Sequence, residues 1–181
     1  MKKYRKILLP VLILLALPLL LLDRGPDTST VEGREEVLND LPKGRGWHIV
    51  CEQELEDYLV AAMISADGQT GLAVFEPEDK GQYGLQTTTV RDDDDIVIGH
   101  TIVNGTWYDL FWFNGAPVTA AEIICTVEGG QQPMRYQFGR ISSEATDGAV
   151  EYFNEIICLP EPAENYQLDI VYYDAEGNIY E

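Results

Sequence analysis

An all-β body behind an amino-terminal membrane helix is the fold class that this 181-residue chain predicts. Three observations carry the prediction. The chain opens with a basic cluster and then a purely apolar run. From Trp47 onward, nine or ten short apolar runs alternate with turn residues at intervals of about ten residues. No segment beyond Leu41 sustains the 3.6-residue period of an amphipathic helix.

The first element is "MKKYRK" followed by "ILLPVLILLALPLLLL", sixteen uncharged residues from Ile7 to Leu22. Basic-then-apolar is the order of an export signal. Cleavage requires small residues before the cut, but "LLLLDRGP" places leucines and charges there, and Pro26 opposes a cut after Gly25. A helix of this length spans about 24 Å, against a bilayer core of about 30 Å. Thinning of the bilayer and snorkelling of the flanking lysines bridge that difference. Residues 1–22 are therefore expected to be an uncleaved signal anchor, a transmembrane helix whose positive flank stays in the cytoplasm and whose carboxy-terminal mass lies outside. Secretion after cleavage is the alternative. Residues 23–46, rich in Gly, Pro, Ser, Thr and charge, are expected to form a linker with at most a turn or two of helix around Glu35–Leu41.

The body, residues 47–181, then supplies strand after strand. "DYLVAAMI" (57–64) and "TGLAVFE" (70–76) flank Asp67-Gly68 as a hairpin. "CEQELEDYLVAAM" (51–63) is compatible with a strand or a short helix at its start. "QYGLQTTTV" (82–90) has the β-branched content of a strand. "IVIGHTIV" (96–103) meets "TWYDLFWF" (106–113) through Asn104-Gly105, the dipeptide most diagnostic of a two-residue hairpin turn. "AAEIICTV" (120–127), "PMRYQFG" (133–139), "AVEYFNEIICL" (149–159) and "NYQLDIVYYD" (165–174) complete the set. A β-sandwich is expected, and a division into two small packed β subdomains near residue 116, at "NGAP", is compatible with the pattern.

"TWYDLFWF" has five aromatic side chains in eight residues. Alternation sends Trp107, Asp109, Phe111 and Phe113 to one face and Tyr108, Leu110 and Trp112 to the other. Both faces are apolar, as in a strand covered on both sides. Asp109 is the exception, because a buried carboxylate needs a partner. It marks the place where that face is expected to open to water. Trp107, Asp109, Phe111 and Phe113 are accordingly the candidate ligand-binding residues, although core packing is the simpler role for the aromatic ones.

Charge and motifs narrow the function. Twelve Lys and Arg face thirty-one Asp and Glu, and five of the basic residues lie in the first 24 positions. The remainder carries seven basic and thirty acidic residues, a surface that repels phosphate backbones. Nucleic acid is excluded as a partner. The chain contains no G-x-S-x-G, H-E-x-x-H, phosphate-binding Gly-Lys loop or C-x-x-C. Catalytic residues, metal ligands and cofactors are therefore not assigned.

His48 and Cys51, three residues apart, fall on opposite faces of a regular strand and make a poor metal pair. His100 shares a face with Ile96, Ile98 and Ile102 and is expected to be a satisfied structural histidine. The acidic run Asp92–Asp95 lacks the turn-forming Gly of a Ca²⁺ loop and is expected to be a solvated connection. Asn104-Gly105-Thr106 matches a glycosylation acceptor but occupies a tight hairpin. Three cysteines, Cys51, Cys125 and Cys158, specify no disulfide framework; they suit buried thiols, with a single Cys125–Cys158 bridge left open.

Together these features imply a membrane-anchored extracytoplasmic binding or structural module with a protein or glycan partner. The alternatives are an extracellular hydrolase working through acidic residues, or an acidic surface domain that binds cations.

Overall fold

The computed structural model describes residues 25–42, 46–91, 96–113, 120–130, 132–139, 150–152, 156–162, 165–174 and 176–179. Among the described residues the chain is mostly strand, arranged in three sheets with one short α-helix. The membrane segment expected at residues 1–22, the run Asp92–Asp95 and the boundary near residue 116 lie outside the described residues. Among the described residues, no helix is long and apolar enough to cross a membrane.

The first sheet is an antiparallel meander of four strands. β1 (His48–Leu55), β2 (Tyr58–Ile64), β3 (Thr70–Pro77) and β4 (Tyr83–Arg91) pair in chain order. The ambiguous stretch 51–63 is strand, turn, strand, with Glu56 in the left-handed region at the corner. β5 (Ile96–Val103) and β6 (Thr106–Phe113) form the expected hairpin, with φ of 49° at Asn104 and 85° at Gly105. Positive φ at both central residues is what an Asn-Gly turn of the primed type requires. The expected strand at 149–159 divides in two: β9 (Val150–Tyr152) and β10 (Ile156–Pro160) belong to different sheets. β10 joins β6 and β5 in a three-stranded sheet of order β10-β6-β5. The third sheet, of order β11-β7-β8-β9, contains β7 (Ala120–Val127), β8 (Met134–Gly139) and β11 (Tyr166–Tyr173), and its β8–β9 pair is parallel.

Alternation along β5, β6 and β10 explains how the sheets stack. Val97, Val103, Leu110, Trp112 and Ile156 face the first sheet and pack with Val60, Ala62, Leu72 and Val74. Ile96, Phe111, Phe113 and Ile157 face the third sheet and pack with Ala121, Ile123 and Phe138. The ring centroids of Phe113 and Phe138 lie 5.9 Å apart. The three-stranded sheet is therefore covered on both sides, which accounts for its apolar faces.

The outer face of the first sheet is covered too, and the cover comes from the segment expected as a linker. Helix α1 (Val31–Asn39) seals Leu38 against Leu59, Ala61, Met63, Ala73 and Phe75, together with Trp47. Thr30 caps the helix by accepting a hydrogen bond from the Gly33 N–H at 3.1 Å. Arg34, 4% exposed, grips both carboxylate oxygens of Glu52 at 2.8 and 2.7 Å and donates to the Thr28 carbonyl at 2.6 Å. A side chain at position 33 would collide with the backbone of Asp27, so Gly33 permits this turn of chain to fold back on the helix. The composition of residues 26–42 resembles a linker because its apolar stripe is thin. Burying Leu38 alone stabilises the attachment by about 1.5–3 kcal/mol.

A bulge between Ile49 and Cys51 alters the alternation of β1, so the opposite-face placement of His48 and Cys51 does not apply. Cys51 packs toward the first core beside Ala62, and His48 stands at the surface 3.7 Å from Glu35. All three cysteines are free, so the Cys125–Cys158 bridge is not formed. Cys125 sits on the sheet that carries Leu168, and Cys158 packs into the core on the other side of the middle sheet.

Burial pushes the Cys158 thiol from its ordinary 9.0 to about 12, and burial also raises Cys51 and Cys125. A raised thiol pKa contributes stability that is complete below pH 9 and lost as pH climbs toward 12. Cys158→Ala should therefore flatten the alkaline decline of unfolding free energy between pH 9 and 12. The difference in slope should approach about 1.4 kcal/mol per pH unit in urea titrations. Equal slopes for the two proteins would contradict the burial of that thiol.

Candidate functional site

A two-residue turn at Asn104-Gly105 places Val103 opposite Thr106, and counting back along the ladder sets His100 opposite Asp109 and Ile102 opposite Trp107. These four side chains share the face of the middle sheet that turns toward the third sheet. Deeper along that face lie Ile98, Phe111, Ile96 and Phe113, all within the second core. Toward the turn the cover ends: Trp107 is 53% exposed and Ile102 39%. The site is the step between the two regions.

Asp109 sits on the buried side of that step at 2% exposure. Tyr166, the first residue of β11, reaches across from the third sheet and donates its hydroxyl to Asp109 Oδ2 at 2.6 Å. Burial, followed by this hydrogen bond to a carboxylate, pushes the Tyr166 phenol well above the usual tyrosine range. Tyr166 therefore remains a proton donor at any physiological pH. The other oxygen, Oδ1, lies 2.7 Å from His100 Nδ1. That contact is close, yet Oδ1 has no hydrogen-bond partner. One half of this buried carboxylate is satisfied; the other half faces the imidazole alone.

A third group joins from β10. The Glu161 backbone N–H donates to the Trp107 carbonyl at 2.9 Å, carrying the β10–β6 ladder one residue past Pro160. This bond swings the Glu161 side chain over the hairpin, where Oε1 comes 4.0 Å from His100 Nδ1. One atom each from His100, Asp109 and Glu161 thus lies within 4.8 Å of the others. His100 is 58% exposed and Glu161 29%, so the cluster has a buried floor and an open mouth.

The candidate binding residues named from sequence separate accordingly. Phe111 and Phe113 are core side chains at 0% and 8% exposure. Trp107 and Asp109 lie at the surface step. His100, expected to be a satisfied structural histidine, is more than half exposed and lies 2.7 Å from a buried acid. Its partnership was derivable from the hairpin, because the turn sets the register. Glu161 and Tyr166 carry no such signal, since they arrive from strands distant in sequence. Asn104 donates to Glu56 at 2.6 Å, so the acceptor asparagine of the sequon is engaged with another side chain.

A second buried acid, Glu122 on β7, is 2% exposed but fully partnered. Arg135 donates to it at 2.9 Å and the Tyr173 hydroxyl at 3.2 Å. Its needs are met within its own sheet, and it offers nothing to a ligand.

Comparison with protein families, curated proteins and solved structures gives no match to this chain.

The Tyr166 hydroxyl supplies the hydrogen bond of the satisfied oxygen on Asp109. Tyr166→Phe should cost about 1–3 kcal/mol, the penalty for orphaning a buried charged acceptor. Urea unfolding at pH 7 measures this, and a loss near zero would show that the bond does not support the carboxylate.

Proposed function

We propose that this chain is a membrane-anchored extracytoplasmic module, a β-sandwich-like stack, that binds a protein or glycan partner at the β5–β6 hairpin. The observation that carries the reading is the exposure of Trp107 beside Ile102. The strand "TWYDLFWF" buries every large side chain near its far end, yet leaves one tryptophan half in water opposite an exposed isoleucine. Tryptophan at a surface supplies a rigid apolar face suited to stacking on a sugar ring or anchoring a protein contact. The acidic groups beside it, Glu161 and Asp109, provide polar neighbours for orientation.

The membrane part of the proposal rests on "MKKYRK" and the apolar run to Leu22, whose charge order favours an outward-facing carboxy terminus. The acidic surface is consistent with a soluble body held at a membrane by its leader. An extracellular hydrolase is the second reading, supported by the convergence of Asp109, Glu161 and His100, which could exchange protons with a substrate. Turnover of a glycan or peptide by the wild-type chain, abolished in Glu161→Gln, would favour that reading over binding.

Trp47 and Trp112 are only 4% and 5% exposed, so changes in tryptophan emission on ligand binding should come from Trp107. Titrating a glycan panel into the full chain should shift or quench emission in wild type and leave Trp107→Phe unchanged. Trp107→Ala should cost less than about 1 kcal/mol of stability, whereas Trp112→Ala should cost about 3–5 kcal/mol. If both tryptophans cost alike and no glycan or cross-linked protein partner depends on Trp107, the binding surface is refuted.

The anchor has its own measurement. Protein recovered from membranes should begin at residue 1. A mature amino terminus at residue 23 or later would replace the anchor with a cleaved leader.

A further inference from the structure

We propose that His100, Asp109 and Glu161 form a binding site for one divalent transition-metal ion of the zinc type, with Tyr166 orienting the buried ligand. This goes beyond partner binding: the ion is a separate ligand, held by His100, Asp109 and Glu161, whereas the partner surface is anchored by Trp107 and Ile102 and borders both of those acids.

Three features of the molecule converge on it. The first is the orphaned oxygen. A carboxylate at 2% exposure loses nearly all its hydration, and Asp109 Oδ1 recovers no hydrogen bond in exchange. A buried acceptor without a partner is costly, and a cation in contact with it is a direct remedy. The contrast with Glu122 is instructive: that equally buried acid has Arg135 and Tyr173. Asp109 has the Tyr166 hydroxyl on one oxygen, and on the other only the close approach of His100 Nδ1 without a hydrogen bond.

The second is geometry. Ligands about 2.0–2.1 Å from a tetrahedral ion sit about 3.4 Å from one another. The Asp109–His100 and Glu161–His100 separations, 2.7 and 4.0 Å, straddle that spacing. Small rotations of the exposed His100 and half-buried Glu161 side chains would even them out while the Asp109 floor stays fixed. The Trp107–Glu161 backbone bond and the β5–β6 register hold all three Cα positions on one rigid sheet.

The third is ligand chemistry. One imidazole nitrogen and two carboxylates suit zinc and its first-row neighbours, whereas Ca²⁺ and Mg²⁺ prefer oxygen alone. Two negative ligands neutralise the ion's charge. Tyr166, donating to the non-ligating oxygen, plays the outer-shell role that fixes a carboxylate's orientation. Three protein ligands and an open mouth leave a fourth position for water or for an oxygen or nitrogen of an incoming molecule. The chain's acidic excess raises the local concentration of any cation approaching it.

The test uses the full chain in detergent, stripped with a chelator and dialysed against Zn²⁺ with excess Mg²⁺ present. Elemental analysis should give one zinc per chain, and zinc should raise the melting temperature. His100→Ala and Glu161→Gln, both at solvent-exposed or half-exposed positions, should each lower zinc affinity at least tenfold while far-ultraviolet circular dichroism stays the same. Tyr166→Phe should weaken binding about 10–100-fold. Trp107→Ala should retain full occupancy, so loss of partner binding and loss of metal are separable. Substituting Co²⁺ should give d–d absorption without a thiolate charge-transfer band. Two results overturn the proposal: no zinc in wild type, which would leave His100 and Asp109 as a plain ion pair, or undiminished zinc in both His100→Ala and Glu161→Gln, which would place the ion elsewhere on the acidic surface or on cysteine.

Discussion

The middle sheet is the constraint on which this architecture depends. β6 contributes Leu110 and Trp112 to one core and Phe111 and Phe113 to the other, so a single strand nails three sheets together. A one-residue slip of its register would exchange the two sets and point every one of these side chains at the wrong neighbour. The Asn104-Gly105 turn prevents that slip by fixing which residues of β5 lie opposite. The remaining layers follow: the meander and its covering helix on one side, the third sheet on the other.

Stacked apolar layers leave little room for charge, and the buried charges among the described residues fall into three local polar sets. Arg34 and Glu52 stitch the helix to the first sheet. Glu122, Arg135 and Tyr173 knit the third sheet internally. Asp109 and Tyr166 tie the middle sheet to the third. The first two sets are complete, each charge meeting an opposite one at hydrogen-bond distance. The last lacks a full set of partners, and it is the one beside an exposed tryptophan, a histidine and a second acid. Incomplete satisfaction of a buried polar group costs stability, and a ligand in contact with Asp109 Oδ1 would offset that cost.

The strands were legible because their signals are local. Asn-Gly and Asp-Gly turns, threonine-rich and aromatic runs, and two-sided apolarity locate the hairpins and identify β6 as interior. The segment holding the helix Val31–Asn39 reads as linker with a turn or two of helix because its buried apolar content is concentrated in Leu38, while its other buried side chain is an arginine. Arginine in a sequence suggests solvent, and Glu52, the Thr28 carbonyl and the Tyr83 ring together make its burial tolerable. The split of 149–159 into β9 and β10 was likewise invisible: a continuous β-forming run does not record that its two ends pair with different sheets.

The same division applies to the candidate site. Periodicity and turn chemistry, which act over a few residues, determine that Asp109 shares a face with Trp107 and Phe111 and that His100 lies across from it. Whether that face is covered depends on where the third sheet ends, and the arrival of Tyr166 and Glu161 depends on strands that begin only at Ile156 and Tyr166, far along the chain from β6. Burial and partnership are properties of those long-range contacts, and residue order along one strand carries no record of them.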